Sequence, residues 1–300
     1  MRSLPAETVY LPFESGPYRM AMSLTTIPES AWFEQDSRYL AEMAERRRLL
    51  ALRHSDVFAA LPTSDAARTE ALQEITHSLI THRPDWFERA GELLHNRLTD
   101  ECWNLIALTC DPLEIIGQLV QEDVCIIQCD EISPVLTAAM LCFPTRWKLA
   151  EKIGRPLAQV HGAVPHYAER LARPVDRFMR LVKPHHIAAR LNWSVVDDPA
   201  LFQPTGKWRE DHNPAVTAAN AGETLFLRVE RQTLRRLPRS EAILFGIRVH
   251  VYALAIAITC GAAAARLAAA IRALPAETMR YKSLRPVREA LLSWLDARSP

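Results

Sequence analysis

Three hundred residues, 49% of them hydrophobic and 24% charged, describe an ordinary globular chain of one large domain or two small ones. A formal net charge of +1 gives no reason to expect nucleic acid or another polyanion as a partner. Six cysteines without a CxxC pair argue against a disulfide framework and for reduced thiols in a cytoplasmic protein.

Residues 1–35 lack an apolar segment followed by a small-residue cleavage site, so no signal peptide is expected. They are rich in proline and aromatics (Tyr10, Pro12, Phe13, Pro17, Tyr18, Trp32, Phe33) and read as an ordered arm laid over a surface. A helix is predicted over about 37–53, with the run Arg46-Arg47-Arg48 read as a solvated face. Ser64 is placed as the cap of a second helix ending near His82, and Pro84 opens a third through about Arg97. Pro112 opens a fourth, with Leu113, Ile116, Leu119 and Val120 inward. At Gln121-Glu122-Asp123 the default reading is a water-exposed helix end, the alternative acids at a pocket mouth.

Asp123–Cys129 and Val135–Phe143 are then short apolar runs around Asp130-Glu-Ile-Ser-Pro134, which reads as a β-hairpin. A proline-interrupted helical stretch runs to about residue 187. Three more strands follow, at about 188–196, 225–236 and 242–252. The segment 197–224 is a long loop of the kind that covers or carries a site. Helices at about 262–273 and 285–297 close the chain. The longest uncharged apolar run, Val251 to Ala265, falls short of the roughly 20 residues a membrane helix needs, so it is read as buried core of a soluble protein.

Two strands, a helical crossover and a three-strand meander is the chain order of the PAS fold. The expected class is therefore α+β: a PAS-like five-stranded antiparallel sheet with helices on one face and a cavity between them. The expected organisation is an arm and helical segment (1–111), a PAS-like core (112–260) and C-terminal helices (261–300), together one compact unit.

The strand Leu225-Phe-Leu-Arg-Val-Glu-Arg-Gln-Thr-Leu-Arg-Arg-Leu237 alternates its environments. Arg228, Glu230 and Gln232 share one side; Leu227, Val229, Arg231 and Thr233 share the other. An arginine continuing an apolar row must be paired, either in a structural ion pair or with a ligand. Among ten histidines, no pair has HExxH spacing. His161 stands out, in Pro156-Leu-Ala-Gln-Val-His-Gly-Ala-Val-Pro165. It is either a satisfied core residue or the imidazole that a haem iron needs, with Gly162 leaving room for a flat macrocycle. Haem propionates would also need cations, and Arg146, Lys148, Arg170, Arg173 and Arg190 are available. Nine glycines and no GxGxxG, GxxxxGK[ST] or GxSxG leave no phosphate loop or nucleophile elbow.

Several segments together resemble the haem-binding alpha subunit of haem-dependent oxidative N-demethylase. These are Leu11-Pro-Phe-Glu-Ser-Gly-Pro17, Leu119-Val-Gln-Glu-Asp-Val-Cys125, Cys142-Phe-Pro-Thr-Arg-Trp-Lys148 continuing to Leu157, and Val160-His161. Leu171-Ala-Arg-Pro-Val-Asp-Arg-Phe178, Arg190-Leu-Asn-Trp-Ser194 and Leu227-Arg-Val-Glu-Arg-Gln232 continuing to Pro238 complete the set. The resemblance implies a PAS-like haem b domain that oxidises a small, dimethylamine-like secondary amine with O2. Flavin, an iron–sulfur cluster and folate are expected only on partner subunits, with no membrane or nucleic acid involved. It also implies His161 as iron ligand and Arg231 as the first choice for a distal group beside iron-bound O2, with Arg228 and Glu230 as alternatives. Arg146, Arg190 and Arg173 are the propionate candidates. A PAS-type haem gas or redox sensor without turnover, or a PAS-like protein binding something other than haem, are the competing readings.

Overall fold

The computed structural model describes residues 3–129 and 133–299. In chain order, β1 (Thr25–Ile27) precedes α1 (Tyr39–Val57), β2 (Phe58–Ala60) and α2 (Asp65–His82). Three short strands follow, β3 (Phe87–Ala90), β4 (Leu93–Asn96) and β5 (Glu101–Asn104), then α3 (Pro112–Ile116), β6 (Asp123–Cys129) and β7 (Pro134–Met140). Three short helices, α4 (Leu157–Val160), α5 (Tyr167–Arg170) and α6 (Ala172–Leu181), lead into β8 (Ile187–Val196). The chain continues through α7 (Ala221–Thr224), β9 (Phe226–Arg236), β10 (Ile243–Ala253), α8 (Leu254–Ala257), α9 (Gly261–Arg272), α10 (Ala276–Tyr281) and α11 (Arg288–Asp296).

A seven-stranded antiparallel sheet in the order β1-β8-β9-β10-β6-β7-β2 organises this mixed α+β chain. The five strands expected from the sequence are its middle, and β1 and β2 from the N-terminal segment extend both edges. Part of the turn expected at 130–134 lies outside the described residues. No helix among those described is long and apolar enough to cross a membrane.

Local chemistry explains where the elements fall. Asp111 caps α3 by accepting the Leu113 amide at 2.9 Å, with Pro112 in the first helical turn where no donor is missed. The helix expected over 84–97 is instead the hairpin β3–β4. Its partners Ala90 and Leu93 leave a two-residue turn, and Gly91 takes φ +62°, which a helix does not allow.

Strand register sorts the side chains. Arg190, Asn192 and Ser194 of β8 lie opposite Gln232, Glu230 and Arg228 of β9 on one face, continued by Ile247 and Phe245 of β10 and by Asp123 and Cys125 of β6. Leu191, Arg231 and Arg248 share the other face.

That second face carries a buried ionic network rather than an apolar core alone. Arg248 pairs with Asp36 at 2.7 Å and Glu42 at 2.8 Å, and Gln121 bridges the same two carboxylates. His250 sits between Glu7 (3.2 Å) and Glu34 (3.1 Å). Two sequence expectations are corrected here. Arg46 is fully buried and pairs with Asp123 at 2.9 Å, so the Arg46–Arg48 run is not simply a solvated face. Gln121, Glu122 and Asp123 are buried, not a water-exposed helix end.

Glu122 makes this network pH-sensitive. One carboxylate oxygen accepts the Glu34 amide at 3.0 Å, the other has no partner, and burial pushes the acid from 4.5 up to about 7. The unfolded chain therefore ionises first, and native stability falls as pH rises from about 4.5 to 7. Burial would lower the pKa of His250, but the hydrogen bonds its ring donates to Glu34 and Glu7 outweigh it and raise it. Its contribution is full below the unfolded value of 6.5 and is lost as pH rises through the higher folded value. Both act in one direction. Thermal melts should give a midpoint that drops between pH 5 and 7, with a flatter profile for Glu122→Gln; equal slopes would rule out Glu122 as the origin.

Candidate functional site

A cavity of about 1220 Å³ lies between the first sheet face and the helices α4–α6, closed further by the N-terminal arm and by Tyr281 and Lys282 of the C-terminal region. Leu157, Val160, Leu171, Val175 and Met179 line the helical wall; Leu234, Phe245 and Ile247 line the sheet wall. The sheet wall is apolar where β10 contributes Phe245 and Ile247 and polar where β8 contributes Arg190, Asn192 and Ser194; Asp123 of β6 also lines it, its carboxylate spent on Arg46 and on the Cys142 and Phe143 amides.

His161 lines the helical side, at the end of the single turn of α4. Its Nδ1 is 2.9 Å from the Leu157 carbonyl, an acceptor only, so Nδ1 carries the proton and donates. Nε2 is left with a lone pair and no protein partner among the described residues. Tyr167 stacks on the ring at 4.5 Å and 11°, which fixes its plane. Burial, helped by the Lys152 and Arg190 charges, lowers its pKa to about 4, so the ring is neutral at physiological pH. A neutral imidazole held by an Nδ1–H···O=C bond with Nε2 bare is a metal-ligand arrangement. Gly162 does not serve as expected: it lies outside this cavity's lining, and a Cβ there would meet the Gln159 carbonyl at 3.3 Å and the Ala158 carbonyl at 3.8 Å.

On the sheet wall Glu230 is the hub. Its Oε1 accepts the Thr145 hydroxyl at 2.5 Å, and its Oε2 accepts the amides of Asn192 (3.2 Å) and Gln232 (2.8 Å). Thr145 in turn accepts Arg228 Nε at 3.0 Å.

The other two residues proposed from the sequence for this role are placed differently. Arg228 is 1% exposed and does not line the cavity. Its guanidinium donates to the carbonyls of Phe143, Pro144, Ala200 and Leu201, tying two loops to β9. Arg231 lies on the reverse face, paired with Glu34 at 3.3 Å and donating to the Ala31 and Trp32 carbonyls. It is the structural ion pair of the two readings its apolar row allowed, although the residue also lines the cavity.

The cations divide similarly. Arg190 lines the cavity, and its Nε is buried without a partner. Arg146 also lines it, bonded to Asp197 at 3.3 Å with Nη1 unpartnered. Arg173 does not: it is exposed on the outer side of α6.

Three lysines the sequence did not single out line the cavity, each over an aromatic ring: Lys152 on Trp147, Lys207 on Tyr281 and Lys282 on Trp193. Burial lowers Lys152 and Lys282 to about 8. Lys282 Nζ donates to the Trp193 carbonyl at 2.5 Å. No spacing marked them, because they come together from 130 residues of chain. The cavity therefore offers an imidazole nitrogen free of protein partners among the described residues, a cationic rim and several carboxylates, of which Glu230 is held by three neighbouring side chains, a set suited to a flat dianionic metal cofactor. Residues 23–292 match the model of a family described as haem-dependent oxidative N-demethylase, alpha subunit-like.

Proposed function

The chain belongs to the haem-dependent oxidative N-demethylase, alpha-subunit-like family, and from that premise we propose that it demethylates a small secondary amine of the dimethylamine type. In this reading it uses O2, with electrons from separate flavin and iron–sulfur subunits and a folate-dependent partner taking up the one-carbon unit. The observation that carries the reading is His161, whose protonated Nδ1 is spent on Leu157 while Nε2 faces a cavity without a partner. The order β8-β9-β10-β6-β7 supports reading 112–260 as a PAS-like haem-binding core, flanked by 1–111 and 261–300.

The residues present fit haem b. His161 would hold the iron, and Arg190, Arg146, Lys152, Lys207 and Lys282 offer more cationic donors than two propionates require, two of them with unsatisfied buried nitrogens. Bound there, the porphyrin iron supplies the one-electron and O2 chemistry that no side chain can. The protein's part is positioning. A secondary amine is protonated in neutral water, and Glu230, a carboxylate lining the cavity and held in place by Thr145, Asn192 and Gln232, would receive its N–H⁺. The same carboxylate accepts the proton when the amine is released to its neutral form. The apolar wall of Leu234, Phe245 and Ile247 excludes water beside the methyl groups.

Reconstituted protein supplied with dimethylamine, O2 and a reductant should release formaldehyde. Fully haem-loaded protein that forms a lasting O2 complex and no formaldehyde from any short methylamine would favour the sensor reading instead. Glu230→Gln should keep the Soret band and lower kcat/KM by about 10²-fold, the scale of a charge-assisted contact plus a positioned base. An unchanged kcat/KM would remove Glu230 from the site.

A further inference from the structure

The helix α6 has two unlike faces. Leu171, Val175 and Met179 line the cavity, and Phe178 packs with them. Arg173 and Arg177, four residues apart, stand on the opposite side, both exposed. Arg170, just before the helix, and Lys183, just after it, extend the stripe, and both are exposed. None of these four has a carboxylate within ion-pair distance among the described residues. Other arginines behave differently, as Arg48 with Glu45 and Arg272 with Asp296 illustrate. Among the described residues of this segment the acids are Glu169 and the half-buried Asp176, which feels the charge of Arg180. Leu181, 62% exposed, adds an apolar contact at the end of the stripe. Arg236 donates to the carbonyls of Met179, Arg180 and Val182, anchoring the end of α6 to β9.

An exposed basic stripe with no ion pair among the described residues, on a chain of net charge +1, is a local feature with a local use. The inner face of the same helix lines the cavity that His161 also lines, so a partner seated on the stripe is separated from the cavity by one helix thickness, about 10–12 Å. We infer that the outer face of α6 is the docking surface for an acidic one-electron carrier protein. The inference rests on the haem reading, since it names the source of the electrons that reading requires. In each encounter the carrier loses one electron and the ferric centre gains it, with no atom transferred. Charge complementarity sets both the sign of the partner and a salt-dependent on-rate.

The test uses a reduced, acidic plant-type [2Fe–2S] ferredoxin as probe and Arg173→Glu/Arg177→Glu as variant. Arg89→Glu/Arg97→Glu, on the exposed β3–β4 hairpin, matches the change in charge. Stopped-flow reduction of the haem-loaded protein should slow about tenfold or more in the α6 variant at low ionic strength, with the difference closing toward 1 M salt. Reduction by dithionite should be unaffected. Ferredoxin binding over the same salt series, measured on protein without haem, should weaken in parallel; this arm stands even if the preparation is colourless, an outcome that would count against the cofactor site alone. Equal rates and affinities for the two variants would overturn the assignment. So would loss of binding to anionic vesicles or RNA with ferredoxin binding intact.

Discussion

His161→Ala is expected to abolish the wild-type Soret band and to weaken haem binding by at least about 100-fold. Groups that merely orient a metal-bound histidine are already worth about 10–100-fold, and this change would remove the proposed ligand itself. Protonation matters as well as position. Burial holds the ring near pKa 4, so no proton competes for Nε2 at neutral pH, and the Leu157 carbonyl fixes which nitrogen is free. His161→Gly should recover a histidine-like spectrum when imidazole is added, because the vacated space lies against Tyr167, which stacks on the native ring. A haem titration followed by absorbance decides it. Wild-type affinity and band position in His161→Ala would place the ligand elsewhere.

Arg228→Met is the second large effect, and it is on stability. Five hydrogen bonds run from this guanidinium to Thr145, Phe143, Pro144, Ala200 and Leu201. Methionine fills similar volume but leaves those buried acceptors without donors, at about 1–3 kcal/mol for each that cannot turn to water. A total of about 3–5 kcal/mol follows if only some of them relax. Calorimetry on the protein without haem should show the midpoint lowered by roughly 10 °C. A variant as stable as wild type but inactive would return Arg228 to the chemistry, where the alternation of β9 alone had allowed it.

That ambiguity marks the limit of what the chain discloses. Alternation along β9 correctly groups Arg228, Glu230 and Gln232 against Leu227, Val229 and Arg231, since a pleat permits nothing else. It cannot say which group meets the cavity, because both faces of this sheet are covered. The apolar row faces the arm and the C-terminal helices α8, α9 and α11, and Arg231 is paired by Glu34, about 200 residues earlier in the chain. Arg46 was more legible than its basic run suggested: Tyr39, Glu42, Met43, Arg46 and Leu49 follow the 3–4 spacing of one helix face, and all are buried. For β3–β4, Pro84 resembles a helix start, and only the positive φ of Gly91 reveals a hairpin. His161 was legible because two prolines and an apolar setting isolate it. Lys152, Lys207 and Lys282 were not, since their meeting is a product of tertiary packing.

The account's central claim is that His161 Nε2 holds a haem iron inside this cavity. Resonance Raman spectroscopy of the haem-reconstituted protein, reduced under argon, tests it most directly. The iron–imidazole stretch should be present in the wild type and absent from His161→Ala. A ferrous spectrum without that band in the wild type, or with the band intact in the variant, would contradict it.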